Sequence, residues 1–180
     1  VWDRSSASFR SSTLAEFEPH QRARVAAFMP GGPYANLLAE RQVILQIGEN
    51  VFAHGGVLPE HVAYGIDEIN SSAQAWLRGG AELPSVLSGS NSPQWTRLYS
   101  DDPDSAACSV LEEALNALQA KRIVVGHTIQ ESGIASACGR QAWRVDIGMA
   151  EYYATRTEYG GSVAVLEIIG DSVRVINELS

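Results

Sequence analysis

Val51-Phe52-Ala53-His54-Gly55-Gly56-Val57 is a short apolar run that carries a histidine straight into a glycine pair. It reads as a strand that delivers an imidazole at its carboxyl end, where glycine lets backbone approach closely. The pattern recurs at Ile123-Val124-Val125-Gly126-His127-Thr128. A lone strand-end histidine is more often structural than a ligand. Two in one context, in a chain with only four histidines, point to metal ligation. Ligands of α/β sheets gather where strands end, so both histidines belong at one crevice.

Outward from this stretch, Val43–Ile47 and Val51–Ala53 flank Gly48-Glu49-Asn50 and predict a hairpin. Leu58–Leu77 reads as one helix, with Pro59 near its start and Gly79-Gly80 at its end. Residues 80–104 are rich in Gly, Ser, Pro and Asn and form a long irregular segment of the kind that carries function. Ala106–Leu118 is an amphipathic helix, Arg122–Val125 a buried strand and Trp143–Ile147 a strand. Val163–Ile169 and Val173–Ile176 predict a hairpin around Gly170-Asp171. Toward the beginning, residues 1–12 read as a loop and Thr13–Met29 as a helix stopped by Pro30-Gly31-Gly32-Pro33. A short helix covers Tyr34–Ala39. Strands alternating with helices, plus antiparallel hairpins, predict a layered α/β domain with a mixed sheet over 1–180.

The composition is that of an ordinary globular domain: 180 residues, 45% hydrophobic and 19% charged. A net charge of -8 argues against nucleic acid and anionic membrane surfaces as partners. It leaves phosphorylated substrates open, because a metal supplies local positive charge. No apolar run reaches the roughly 20 residues of a membrane span. Cys108 and Cys138, with no CxxC spacing, read as two free thiols rather than a disulfide or a zinc site. No signal peptide is visible, and the chain begins with Val1 rather than Met, so any targeting segment would lie outside it. The expected state is soluble, cytoplasmic by default, with an organelle left open.

Arg97 lies in the long segment between the two histidines, in Ser92-Pro93-Gln94-Trp95-Thr96-Arg97. A guanidinium there suits bidentate capture of a phosphate. The alternative is a surface ion pair with Asp101, Asp102 or Asp104. His61 reads as a surface or capping residue, His20 as solvated, and Tyr152 and Tyr153 as packing or surface residues. Thr128 fits either a local turn or a hydrogen bond near the histidines.

In this order, the segments resemble the metal-dependent phosphoprotein phosphatases of the calcineurin-like metallophosphoesterase superfamily, in particular the Shewanella-like branch. The matching text is Phe28-Met29-Pro30-Gly31-Gly32-Pro33, the His54-Gly55-Gly56 run through Pro59, Trp76, Trp95-Thr96-Arg97, Gly126-His127-Thr128 and Trp143-Arg144-Val145-Asp146-Ile147-Gly148-Met149. That family also carries Gly-Asp-x-His-Gly, Gly-Asp-x-Val-Asp-Arg-Gly and Gly-Asn-His-Glu, and none of the three is here. The chain therefore resembles the C-terminal part of such an enzyme, a portion of its β-sandwich flanked by helices.

The resemblance implies two divalent metal ions (Mn, Fe or Zn), with His54 and His127 as ligands of the second. It implies that Arg97 clamps the phosphoryl group while a metal-bridging hydroxide attacks phosphorus in line. Gly55, Gly56 and Gly126 would give room beside the metal, and Arg144 and Asp146 would support the site, Asp146 as an acceptor for a histidine N–H. The implied substrate is a phosphorylated protein (phosphoserine/threonine or phosphotyrosine) or a small phosphoester. The other ligands and the general acid would lie outside the chain, so the isolated 180 residues are expected to be inactive and marginally stable, with an open sheet edge. A dinucleoside-polyphosphate hydrolase of the same superfamily is the alternative, or a non-catalytic binding module if the chain is complete.

Overall fold

In the computed structural model, which describes residues 14–154 and 163–177, the chain divides into two compact units. One comprises residues up to 42 and 70–84, the other 43–69 and 85 onward. The loop expected over residues 1–12 lies outside the described residues.

The first unit is helical. Helix α1 (Pro19–Phe28) starts later than expected, with proline in its first turn, and α2 (Pro33–Leu38) follows the Pro-Gly-Gly-Pro break. Phe28 and Tyr34 stack across that break with centroids 5.0 Å apart. The Gly31 amide donates to the Leu77 carbonyl at 2.7 Å.

The second unit holds a five-stranded mixed sheet. Its strands are β1 (Ile44–Ile47), β2 (Asn50–Ala53), β3 (Arg122–Val125), β4 (Ala135–Ala137) and β5 (Ala142–Arg144), in the order β1-β2-β3-β5-β4. The β1–β2 and β4–β5 pairs are antiparallel, and β2–β3 and β3–β5 are parallel. Every residue of β3 is buried, as its unbroken Ile-Val-Val run predicts for a central parallel strand. Strand β1 is an edge, and its Ile47 is 59% exposed. A separate hairpin pairs β6 (Ala164–Ile169) with β7 (Ser172–Asn177) around Gly170-Asp171, as expected. Lys121 ties this hairpin to the β1–β2 turn, with Nζ 2.8 Å from both Asp171 and Glu49.

Four expectations are corrected. The helix over Leu58–Leu77 is two helices, α3 (Pro59–Tyr64) and α4 (Ile66–Leu77), because Gly65 takes φ +104 and ends the first. The strand expected over Trp143–Ile147 stops at Arg144, though the Val145 amide still bonds the Val125 carbonyl at 2.9 Å. His61 is not a surface residue: it is buried, and its Nδ1 accepts the Leu58 amide at 3.0 Å, so the capping half of the expectation holds. Cys108 and Cys138 are not free thiols but a disulfide. Cys108 sits in the first turn of α5 (Ser105–Ala117), which Asp104 caps by accepting the Ala107 amide at 2.8 Å. Sequence spacing carries no information on such a bridge, because it joins two segments that only the fold brings together.

Candidate active site

The parallel β2–β3 ladder aligns Ala53 with Val125, so the two strands end level. The Gly126 amide extends the ladder to the His54 carbonyl at 2.9 Å. The chain then turns sharply: the Thr128 amide bonds the Gly126 carbonyl at 2.8 Å across His127, whose φ is +67. That is a γ-turn with a left-handed centre, a strained form tolerated where the surroundings enforce it. The turn swings the His127 ring toward His54. His54 Nε2 lies 3.0 Å from His127 Nδ1, with the rings edge to face at 66°. Trp95, 61% exposed, also meets the His127 ring edge to face with centroids 5.4 Å apart.

Two imidazole nitrogens aimed at each other at this distance share one proton; to ligate one cation both rings would have to turn so that their lone pairs meet at a common point. Ligands at roughly 2.0–2.1 Å from an ion, set near right angles, stand about 3 Å apart, which is also the spacing of this pair. Burial holds His127 below the usual imidazole pKa, and the positive charge of Arg97 and the His54 ring add to it. The Trp95 backbone and Asp146 oppose the shift. A lowered pKa keeps the imidazole neutral at physiological pH, which is the form that ligates. His127 Nε2 is buried without a well-formed hydrogen bond. Among the described residues no third His, Cys, Asp or Glu completes a metal-binding group. Two imidazoles are fewer than the three or four protein ligands of ordinary zinc sites.

Arg97 stands beside this pair. Its Nη1 donates to the His127 carbonyl at 2.8 Å and to Thr128 Oγ1 at 2.7 Å. Among the described residues it forms no ion pair with a carboxylate: Asp102 binds Arg144 at 3.1 Å and Asp104 caps α5. The loop that carries Arg97 is fastened to the His54 segment through Pro93, whose carbonyl accepts both the Gly55 amide (2.8 Å) and the Gly56 amide (3.1 Å).

Gly55 and Gly56 are required by this fastening. A Cβ on Gly55 would lie 2.7 Å from the Thr96 carbonyl oxygen and 2.9 Å from that of Pro93, both backbone atoms. A Cβ on Gly56 would strike the Tyr99 ring at 2.9 Å. A Cβ on Gly126 meets His54 only at 3.5 Å, an ordinary contact. Gly55→Ala is therefore expected to destabilise by about 1–3 kcal/mol through overpacking. Gly126→Ala should stay within about 0.5 kcal/mol of the parent. Urea denaturation of the two variants measures both, and equal stabilities would refute the steric account.

An open cleft of about 730 Å³ lies next to Arg97, His127 and Thr128 and is lined further by Asp102, Arg144 and Tyr153. Asp146 makes no histidine hydrogen bond here. Its Oδ1 accepts the Gly148 amide at 3.2 Å, and its carbonyl accepts the Gln130 amide at 2.8 Å. Arg144 reaches the cleft through its pair with Asp102. Tyr153 lines the cleft, whereas Tyr152 and His20 are exposed.

Over 162 residues, 86% of its length, the chain is 40% identical to Shewanella-like protein phosphatase 2 of Arabidopsis thaliana. The chain is homologous to a Shewanella-like protein phosphatase. It spans 40% of that relative's length. An uncharacterized protein of Schizosaccharomyces pombe is 28% identical over 84% of the chain and 46% of its own length. Among solved structures, the cold-active protein-tyrosine phosphatase of a psychrophilic Shewanella species matches with a TM-score of 0.60 at 21% identity, over 78% of this chain and 44% of that one. A second structure of a cold-active protein tyrosine phosphatase matches at 0.56 and 23% identity, over 72% and 37%. These likenesses bear on the fold. No protein-family profile matches the chain. None of the described helices is long and apolar enough to cross a membrane.

Of the residues singled out in the sequence, the fold brings His54, His127 and Arg97 together with Gly55, Gly56 and Gly126, all at the carboxyl ends of β2 and β3 or in the loop fastened there. Ser100 and Gln130 were missed. Ser100 Oγ sits 2.8 Å from Thr128 Oγ1, and Gln130 Nε2 donates to the carbonyls of both Ser100 and Thr128. No local signal marks them: a serine in a Ser-rich loop and a glutamine two residues after a threonine are unremarkable until the loops meet.

Proposed function

We propose that this chain supplies one side of a metal-dependent phosphatase site that hydrolyses phosphomonoesters on proteins, in the manner of a calcineurin-like metallophosphoesterase. The observation that carries the reading is the facing pair His54 Nε2 and His127 Nδ1, 3.0 Å apart, with an anchored guanidinium alongside. Homology to a Shewanella-like protein phosphatase supports it. His54 and His127 would hold one divalent ion, and the remaining ligands of a two-ion centre would come from residues outside this chain. Bound Mn, Fe or Zn ions supply charge neutralisation and an activated water for in-line attack on phosphorus.

The chain's own residues account for the rest. Both Nη1 hydrogens of Arg97 are committed, to His127 and Thr128, which leaves Nε and Nη2 as a fork for two phosphoryl oxygens. Charge that accumulates on those oxygens in the transition state strengthens these bonds, so Arg97 contributes to rate as well as to binding. Phosphotyrosine, phosphoserine and phosphothreonine all present the required dianion.

The natural protein that contains these 180 residues is expected to hydrolyse p-nitrophenyl phosphate with added manganese and to lose that activity to a chelator. Phosphotyrosine and phosphoserine peptides then set the substrate class. The 180 residues alone are expected to show no turnover. Turnover by them would overturn the assignment of ligands beyond the chain, and metal-independent turnover by the natural protein would overturn the metal mechanism.

A further inference from the structure

We infer that Thr128 is a positioning residue that fixes the Arg97 guanidinium relative to the His127 imidazole through its hydroxyl; this rests on the phosphatase reading above. The hydroxyl sits at a junction of two loops. It accepts from Arg97 Nη1 at 2.7 Å and shares a hydrogen bond of 2.8 Å with Ser100 Oγ. Ser100 is fully buried, so the pair is held in a fixed, water-poor place. Gln130 closes the junction from behind, its Nε2 donating to the Thr128 carbonyl at 2.8 Å and to the Ser100 carbonyl at 3.0 Å.

The geometry distinguishes this role from simple packing. Arg97 Nη1 has two hydrogens, one for the His127 carbonyl and one for Thr128 Oγ1. A guanidinium is planar and rigid, so two bonds from one terminal nitrogen set the direction of the whole fork. One bond leaves the plane free to swing. The carbonyl belongs to the strained γ-turn that aims the His127 ring. Arg97 therefore spans that turn and takes its bearing from the same peptide that places the imidazole. Remove the hydroxyl, and the two halves of the site lose their common reference, although neither His54 nor His127 has been touched.

Valine matches threonine in shape and lacks the hydroxyl, whereas serine keeps the hydroxyl and lacks the methyl group. In the natural protein containing this chain, Thr128→Val is expected to lower kcat/KM for p-nitrophenyl phosphate by roughly 10–100-fold, the usual cost of losing a group that orients a metal-site residue. Thr128→Ser is expected to stay within about 3-fold, less than half a decade. The double variant Arg97→Ala/Thr128→Val should be no worse than Arg97→Ala alone, because the hydroxyl acts only through the guanidinium. A merely structural role would instead lower Tm in the valine variant and add to the Arg97 loss.

A readout independent of turnover is the side-chain spectrum of the same protein labelled with ¹⁵N-arginine. Distinct, slowly exchanging Arg97 Nη protons are expected in the parent and in Thr128→Ser, and averaged ones in Thr128→Val. Unchanged Arg97 signals in Thr128→Val, or kcat/KM within 3-fold of the parent, would overturn the inference. A parent protein with no phosphatase activity would overturn the functional reading instead, and the spectrum would still decide whether Thr128 holds Arg97.

Discussion

His127→Ala in the natural protein is expected to reduce kcat/KM for phosphomonoesters on the order of 10³-fold, the upper range for loss of one preorganised electrostatic element. The size follows from what this residue does at once. Its Nδ1 is one of only two imidazole nitrogens that face each other, 3.0 Å apart. Burial and the neighbouring Arg97 favour its neutral form, the form a metal ligand would need. On the proposed metal reading, alanine would remove one of two ligands and leave His54 alone, and a single imidazole holds a divalent ion weakly. The backbone complicates the alanine variant, because φ is +67 at this position and alanine is strained there too. His127→Asn separates the two effects, since asparagine tolerates left-handed backbone. It should be as inactive as alanine, with Tm within a few degrees of the parent. Manganese affinity measured by calorimetry should fall in both variants. Retained affinity would show that the ion is not held by His127.

The largest expected effect on stability is loss of the Cys108–Cys138 bridge. It closes a loop with a sequence separation of 30, for which chain-entropy arguments give about 3.5 kcal/mol. In a chain of this size that corresponds to a fall in Tm of roughly 10 °C. Cys108→Ala/Cys138→Ala, or the parent under reductant, should show it in thermal melts. The bridge also holds a turn that is costly in itself: Cys138, Gly139 and Arg140 all have positive φ, at 49°, 63° and 72°. Arg140 helps from the other side, with its guanidinium 5.0 Å from the Trp143 ring centroid and Nη2 donating to the Val173 carbonyl at 3.2 Å. A double variant as stable as the parent would mean that these contacts suffice without the covalent link.

The fold was legible where chemistry is local. Apolar runs broken by Gly48-Glu49-Asn50 and Gly170-Asp171 marked both hairpins, and the Ile123–Val125 run marked the central strand. The histidines were legible for the same reason, since each closes such a run. The disulfide, strand β4 and the break at Gly65 were not. Ala135–Ala137 is too short and its alanines too weak as strand formers to stand out, and it exists because β5 offers it a partner. An isolated glycine inside a helical pattern is usually tolerated, and nothing nearby says that Gly65 would take φ +104. The Thr128, Ser100 and Gln130 junction lay beyond reach because its members come from two loops separated by the whole of α5 and β3.

The level ends of β2 and β3 act as a ruler. The distance between the imidazoles is set by one strand register, Ala53 against Val125, and by the few residues beyond it. It does not depend on the length of chain that leaves at His54 and returns at Arg122. Residues could be added to or removed from most of that excursion without moving one histidine relative to the other. A single residue inserted between Ala53 and His54, or between Val125 and His127, would shift one ring by about 3.3 Å, a full strand step. Sequence drift is therefore permitted over long stretches of this chain and forbidden over two very short ones, and the loop from Pro93 to Ser100 extends the forbidden zone into the excursion itself, through the Pro93 carbonyl that grips Gly55 and Gly56 and through the bonds of Arg97 and Ser100 to His127 and Thr128.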